Sequence, residues 1–507
     1  MSDPWETDEP TDKELWDELG DAVDARRQEI YFMLGARSFE TTKHDNALAL
    51  FEQSLELCEK LFYTREKYFT LMWIARCHTE LKNWDKVSDI FAKIEESAVP
   101  ELEPNDLAQM FRTKAFAMRE RRRAHDAIAA FQLAENYSRD NGDHFYMCMD
   151  AVQRAKIHAL LREFTVAKEI LLTTLDFARE RGMTAVAAGT QFTLGKVFLE
   201  AGEIGAAIAT LQDAVTCLEA LNDFHYRNDA KLALGTAFVR AGDFAAADAI
   251  FTPLEQGLHP WEAEIRASIV LNRAEMTLNP AEIAKFHKQA RALAINEGAY
   301  HFVNVVDINI AVVMAESGDF VGSEKILRDA ITSAERYDDQ DIINEARVRL
   351  ATILVETDRS DEALTLLETM SIATFADDTF GWQRYALVRS AAALCVGDID
   401  DAEETVRVIM NLDRNWSNLS MIAEAYWITS QIEEHRNGRS ATWEHMLSAS
   451  VAMTLQIGNT ALATERSRQL VPDAPQSEGD NARRAIPRRL ITSPDGLIVD
   501  ITAENGE

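Results

Sequence analysis

Chain-breaking residues are scarce. Proline occurs 11 times and glycine 21 times in 507 residues, below ordinary usage. That excludes collagen-like or Pro/Gly-rich low-complexity sequence and argues against a fold made of many tight turns. Long helices with short connections fit such a composition. Cysteine is scarce too. The five, Cys58, Cys77, Cys148, Cys217 and Cys395, are odd in number, widely spaced and without a C-x-x-C pair. They argue against a disulfide framework or a zinc site and point to a reducing compartment. Positive charge is in deficit: 52 Lys and Arg stand against 84 Asp and Glu, a net charge of −32. Nucleic acid and anionic membranes are therefore poor partners for the molecule as a whole, and the plainest use of so much acid is to keep a long surface dissolved. No run of about 18 apolar residues reads as a transmembrane helix. The opening MSDPWETDEP is acidic without an apolar core, unlike a signal or transit peptide. A cytoplasmic protein is the expectation.

What is present is a period. The segment LGKVFLEAGEIGAAIATLQDAV, from Leu194 to Val215, reads as helix, glycine turn, helix, and a second such segment starts at Leu234. Gly195 and Gly235 are forty residues apart, and steps of about forty in both directions meet Gly35, Ala75, Ala115, Ala155, Ala274, Ala311, Ala351, Ser390 and Thr429, all small. Twelve residues later stands a second small residue, among them Ala47, Ala127, Ala167, Ala207, Ala247, Ser323, Ala363, Ala402 and Ala441, with Val87 in the second repeat. Four residues further stands a large one: Phe51, Phe91, Phe131, Leu171, Leu211, Phe251, Leu327, Leu367 and Val406. Two helices cross closely only where each offers a small side chain, and the large residue one turn on fills the space beside the crossing. Between them the turn often reads Gly then acid, as at Gly202-Glu203, Gly242-Asp243, Gly318-Asp319 and Gly397-Asp398: glycine ends one helix and the acid complements the dipole of the next. Two repeats depart. The seventh has Phe286 at the small place and Ala290 at the large one, and the eleventh has His445 at the large place.

This small–twelve–small–four–large spacing resembles the tetratricopeptide repeat over roughly residues 25 to 465. The family unit is 34 residues, so this is a long variant with lengthened helices, similar to the repeats of kinesin light chains and bacterial peptide-sensing regulators. The usual Trp and Tyr of the first helix and the Pro after the second are mostly missing. The resemblance implies an all-α fold, a right-handed superhelical solenoid of about eleven hairpins; a HEAT-like solenoid shares the period and is the alternative. The expected organisation is an acidic, partly disordered segment over 1–24, the solenoid over 25–470 and a linker with a flexible tail over 471–507. Asp12 to Leu19 reads as the start of a helix anchored by Trp16, residues 460–470 as a capping helix with a polar outer face, and LITS-PDG-LIVDI around Pro494-Asp495-Gly496 as a β-hairpin signal in the tail.

Catalytic signatures are missing: no GxGxxG after a strand, no Walker loop, no HExxH and no GxSxG. An enzyme is not expected, nor a cofactor or metal. Glu434-His435 and Glu444-His445 read as surface histidines, and Cys77-His78 is an equally weak pair. Arg119, Arg121, Arg122 and Arg123 read as a solvated turn, or else as a contact for phosphate or an acidic partner.

What remains is a groove. The resemblance implies that first helices line the concave face. With the small residue as position eight, positions five, six and nine read Met72, Trp73, Arg76; Arg112, Thr113, Phe116; Val152, Gln153, Lys156; and Phe192, Thr193, Lys196. Four cations with aromatic neighbours offer charge-assisted hydrogen bonds and pockets to an acidic peptide, similar to a carboxylate clamp but without its Asn. The candidate groove residues are Trp73, Arg76, Arg112, Phe116, Gln153, Lys156, Phe192 and Lys196. The competing reading pairs the cations with acids of neighbouring repeats, Glu40, Glu80, Glu120 and Glu200 being at hand. Repeats eight to ten offer instead an apolar strip, Ile308, Asn309, Val312, Val348, Thr352, Leu387 and Ala391, suited to a helix or to packing between repeats. Two functions follow: a scaffold or adaptor holding a partner protein's peptide, or a peptide-responsive regulator without its own DNA-binding domain, since the repeats begin near residue 25. Self-pairing of a terminal repeat stays open.

Overall fold

A computed structural model describes residues 10–98, 102–221, 224–259, 262–277, 279–296, 299–336, 339–370, 379–410, 419–456 and 460–470. Among them are twenty-four helices and no strand. A short α1 (Asp12–Leu19) precedes eleven hairpins. The first six are α2 (Asp24–Glu40) with α3 (His44–Leu61), α4 (Thr64–Glu80) with α5 (Trp84–Ala98), α6 (Pro104–Glu120) with α7 (Ala124–Asp140), α8 (His144–Leu160) with α9 (Phe164–Glu180), α10 (Thr184–Glu200) with α11 (Ile204–Leu221), and α12 (Phe224–Ala241) with α13 (Phe244–Gly257). The last five are α14 (Ala263–Glu275) with α15 (Pro280–Asn296), α16 (Tyr300–Glu316) with α17 (Phe320–Arg336), α18 (Gln340–Glu356) with α19 (Ser360–Glu368), α20 (Thr379–Val396) with α21 (Ile399–Met410), and α22 (Leu419–Asn437) with α23 (Ala441–Gln456). Helix α24 (Thr460–Arg468) closes the array. Contacts gather these into two compact units, one up to His158 together with Val166–Thr190, the other Ala159–Thr165 together with Gln191 onward. The proposed tail hairpin lies outside the described residues.

In the first unit the repeat works as its spacing requires. Ala47, Phe51, Phe91, Ala127, Phe131, Ala167 and Leu171 are all buried. Gly35 shows why the first small place must be small: a Cβ there would stand 2.9 Å from the Phe51 ring. Each large ring so buried contributes about 2–3 kcal/mol of hydrophobic stabilisation. At the N-terminal end, Thr11 and Glu14 form a capping box that starts α1, a reciprocal pairing that satisfies two otherwise unbonded donors. The anchor is Leu15, fully buried with Ile30 and Leu34. Trp16, the expected anchor, is 51% exposed, because helical spacing from the Thr11 cap turns its neighbour inward.

In the second unit the same contact recurs. A Cβ on Gly195 would lie 2.6 Å from Leu211, and one on Gly235 would lie 2.2 Å from Phe251. Helix α11 is long and apolar enough to cross a membrane by length and composition, contrary to the expectation that no such run exists. Its buried face, Ala207, Leu211, Ala214 and Leu218, follows the repeat, and it packs on α12 of the next hairpin, as a helix of the repeat array.

Two hairpins differ from the spacing read above. In α15 the inward residues are Ile283, His287, Ala290 and Ala294, the same four–three–four steps as Ala207, Leu211, Ala214 and Leu218 in α11. The apparent size swap at Phe286 and Ala290 is therefore a three-residue shift of register, and His287 holds the large place. Burial pushes its pKa down. In the last hairpin Ser430, Trp443 and Leu447 are buried, while Ala441 and His445 are exposed. There α22 runs on to Asn437, nineteen residues in all, Gly438 follows at φ 69°, and Ser440 caps α23 through the Trp443 amide at 3.1 Å.

The cap is polar on the inside. Arg466 of α24 is 1% exposed. It donates to Ser450 Oγ at 2.8 Å and Thr454 Oγ1 at 3.0 Å, pairs with Glu424 at 2.6 Å and lies over the Trp427 ring. A charge so buried persists only with partners of this kind.

The turns inside hairpins also divide. Gly202, Gly242, Gly318 and Gly397 have φ between 76° and 88°, and Asp243, Asp319 and Asp398 accept from amides at the start of the following helix. Elsewhere the left-handed place is held by Thr42, Lys82, Arg122, Arg162 and Asp358, each at a cost of about 1 kcal/mol or more.

Candidate functional site

Among the sequence-derived groove residues in the first unit, Trp73 and Arg76 of α4 lie together. Trp73 is half-buried and stacks on Phe51 with ring centroids 5.5 Å apart, edge-on to Phe32 and Phe39. The Arg76 guanidinium lies 4.2 Å from the Trp73 ring centre and 4.8 Å from that of Phe39. Burial lowers its pKa. Among the described residues it forms neither an ion pair nor a side-chain hydrogen bond.

Arg112 of α6 differs. It grips Asp150 of α8 with two bonds of 2.6 and 2.8 Å, adds a 3.3 Å bond to Ser138, and covers the Tyr146 ring at 4.1 Å. Asp150 is 1% exposed, and burial raises its pKa against the pull of Arg112. This cation is committed to the seam. Phe116, one turn on, packs edge-on to Phe131 at 5.2 Å and under Arg119. On α8, Gln153 is buried with its side-chain oxygen unbonded among the described residues, and Lys156 is half-buried. In the second unit, Phe192 of α10 is buried and Lys196 stands 6.0 Å from its ring centre.

A rule emerges from these placements. Position five is buried in three of the four repeats (Met72, Val152, Phe192) and packs between hairpins, and in the third its Arg112 is half-buried and bound to Asp150. Positions six and nine in α4 and α6 (Trp73, Arg76, Thr113 and Phe116) keep part of their surface open. The apolar strip of hairpins eight to ten resolves in the main likewise: Ile308, Val348, Thr352, Leu387 and Ala391 are buried, all but Thr352 within one core running from Val305 to Leu447, while Asn309 and Val312 are half-buried. Most of it is spent on packing between repeats.

The arginines of the α6–α7 turn are engaged too. Arg119 pairs with Glu120, Arg121 donates to Ser88 and Arg123 pairs with Asp126. His435 and His445 are exposed. All five cysteines are free; burial pushes the Cys77 thiol up to about 12 and the Cys148 thiol to about 11, so neither supplies a thiolate nucleophile near neutrality.

Sequence reasoning missed Phe32, Met33 and Phe69, which with Gln28, Glu29, Arg65 and Glu66 line a groove of about 450 Å³ between α2 and α4. The signal was available, since Phe32 and Phe69 stand on first helices at helical spacing from Phe39 and Trp73. The seam partners Asp106 and Asp150 were missed as well. Arg65 holds Asp106 with two 2.8 Å bonds as Arg112 holds Asp150, each acid being about forty residues beyond its arginine.

Residues 259–410, spanning the seventh to tenth hairpins, match the model of a tetratricopeptide repeat-like domain. A search for relatives among functionally curated proteins finds no match. Similar solved structures include BtubC (BKLC) from P. vanneervenii, 19% identical, covering 43% of this chain and 94% of that one with a TM-score of 0.38. Yeast Tom70 is 13% identical, with 88% and 97% covered and a TM-score of 0.44. A Rap protein complexed with competence and sporulation factor is 13% identical, with 81% and 99% covered and a TM-score of 0.44. The stretch 259–410 thus matches a tetratricopeptide repeat-like domain and lies within a chain of helical hairpins about forty residues long.

Proposed function

We propose that this chain is a protein-binding scaffold of the cytoplasm, acting by holding a segment of a partner protein on the open faces of its first helices rather than by catalysis. The observation that carries the reading is the half-exposed surface of α2, α4 and α6, where Phe32, Trp73 and Phe116 present aromatic area, with Arg76 on the Trp73 ring and in no ion pair among the described residues. Aromatic and arginine side chains supply most of the energy at protein interfaces. The acidic-peptide groove narrows accordingly, because Arg112 already serves Asp150.

The test is site-specific photocrosslinking in native extract. A photoreactive phenylalanine analogue replaces Phe69 in the groove between α2 and α4 or Val321, which is 83% exposed on α17. One stoichiometric protein adduct from position 69 and none from position 321 is expected. Adducts from 321 alone, or from neither position, would reject the scaffold reading.

A further inference from the structure

The groove between α2 and α4 has a direction. At one end stand Glu29 and Glu66, both exposed. Glu29 shares its carboxylate with Arg26 at 2.8 Å; Glu66 has no ion pair among the described residues. Arg65, beside them, adds no free positive charge because Asp106 holds it. The middle is apolar, formed by Phe32, Met33 and Phe69, all half-buried. Phe32 then meets Trp73 edge-on, and Trp73 leads to Arg76. Glu66, Phe69, Trp73 and Arg76 fall three or four residues apart on α4 and so share one helix face.

From Glu66 to Arg76 is ten residues of helix, about 15 Å. An extended peptide covers that length in about four or five residues. We infer, resting on the scaffold reading above, that this groove binds a short linear peptide in one orientation. A basic side chain lies toward Glu29 and Glu66, an apolar side chain enters between Phe32 and Phe69, and a carboxylate sits on Arg76. The argument is charge complementarity at both ends of an apolar trough. Arg76 is the stronger end, since a desolvated guanidinium framed by two rings gains most from an anion that restores its hydrogen bonds.

The test pans the full-length chain against a displayed library of random linear octapeptides. The expected result is enrichment of a basic, an apolar and an acidic residue in fixed order within five positions. Arg76→Met keeps the packing on Trp73 and should weaken the selected peptides at least tenfold. The double change Glu29→Lys with Glu66→Lys, both on the exposed rim, should select an acidic residue in place of the basic one. No enrichment by the native chain, or selected peptides that bind both variants as tightly as the native chain, would overturn the inference. Retained crosslinks to a partner from position 69 in such a case would show that the scaffold reading survives and only the peptide grammar fails.

Discussion

The first helices of the early and late hairpins are built on one spacing and finish differently. In α2 only Gln28, Ile30, Leu34 and Gly35 are buried; in α18 twelve of seventeen residues are, from Ile342 to Val355. Aromatic rings around Trp73 hold the early crossings, whereas β-branched and small aliphatic residues fill the late ones in a continuous core. The difference is one of division of labour. Where the inner face is spent on packing, no surface is left for another chain. Where rings at fewer positions carry the packing, the rest of the face is open.

The sharpest way to break this comparison is to put the same charge at both places. Val348→Lys should cost about 4 kcal/mol, because an ammonium would enter a fully packed seam. Met33→Lys on α2 should cost under about 1 kcal/mol, its head reaching solvent along the helix. Denaturant unfolding measures both, and equal losses would refute the division.

Buried acids sharpen it next. Asp150 in the first unit is gripped by Arg112, whereas Asp229 on α12 is pushed up to about 6 by burial, with only a Coulombic pull from Lys196 to oppose it. A carboxyl whose folded pKa lies above its ordinary 3.8 stabilises the fold less as it ionises, so stability falls as pH rises from about 4 to 6. Asp229→Asn should therefore leave stability unchanged below about pH 4 and raise it by about 3 kcal/mol above pH 6. A gain independent of pH would show that the carboxyl is not the cause.

The smallest effect lies in the turns. Lys82→Gly relieves a left-handed lysine and should gain about 0.5 kcal/mol, since added freedom in the unfolded chain offsets part of the relief. Gly242→Lys should lose about 1 kcal/mol. Paired thermal melts decide it; two changes of the same sign would contradict the turn argument.

These contrasts explain what could be read from the sequence. Gly35, Gly195 and Gly235 betray the crossings because a close approach of two helices rejects every larger residue, and such a rejection leaves a mark in each repeat. Eleven hairpins and the closing helix were legible for that reason. The seventh and eleventh hairpins were misaligned because their first helices differ in length, thirteen residues in α14 and nineteen in α22 against seventeen in α2 and α4, and helix length is invisible to a fixed step. The candidate groove was legible only in part. Trp73 and Arg76 lie together as expected, but the burial of Gln153 and the commitment of Arg112 depend on how neighbouring hairpins stack, which pairs residues forty positions apart.

Arg466 has a consequence for how such a chain can lengthen. An interior hairpin duplicated in place keeps one old neighbour on each outer side and adds a single new interface, that between the two copies. After Leu470 a new hairpin would have to dislodge an arginine already bound to Ser450, Thr454 and Glu424. Gene duplication, or an engineer's cassette, is therefore expected to extend this array from within and to stall at its far end.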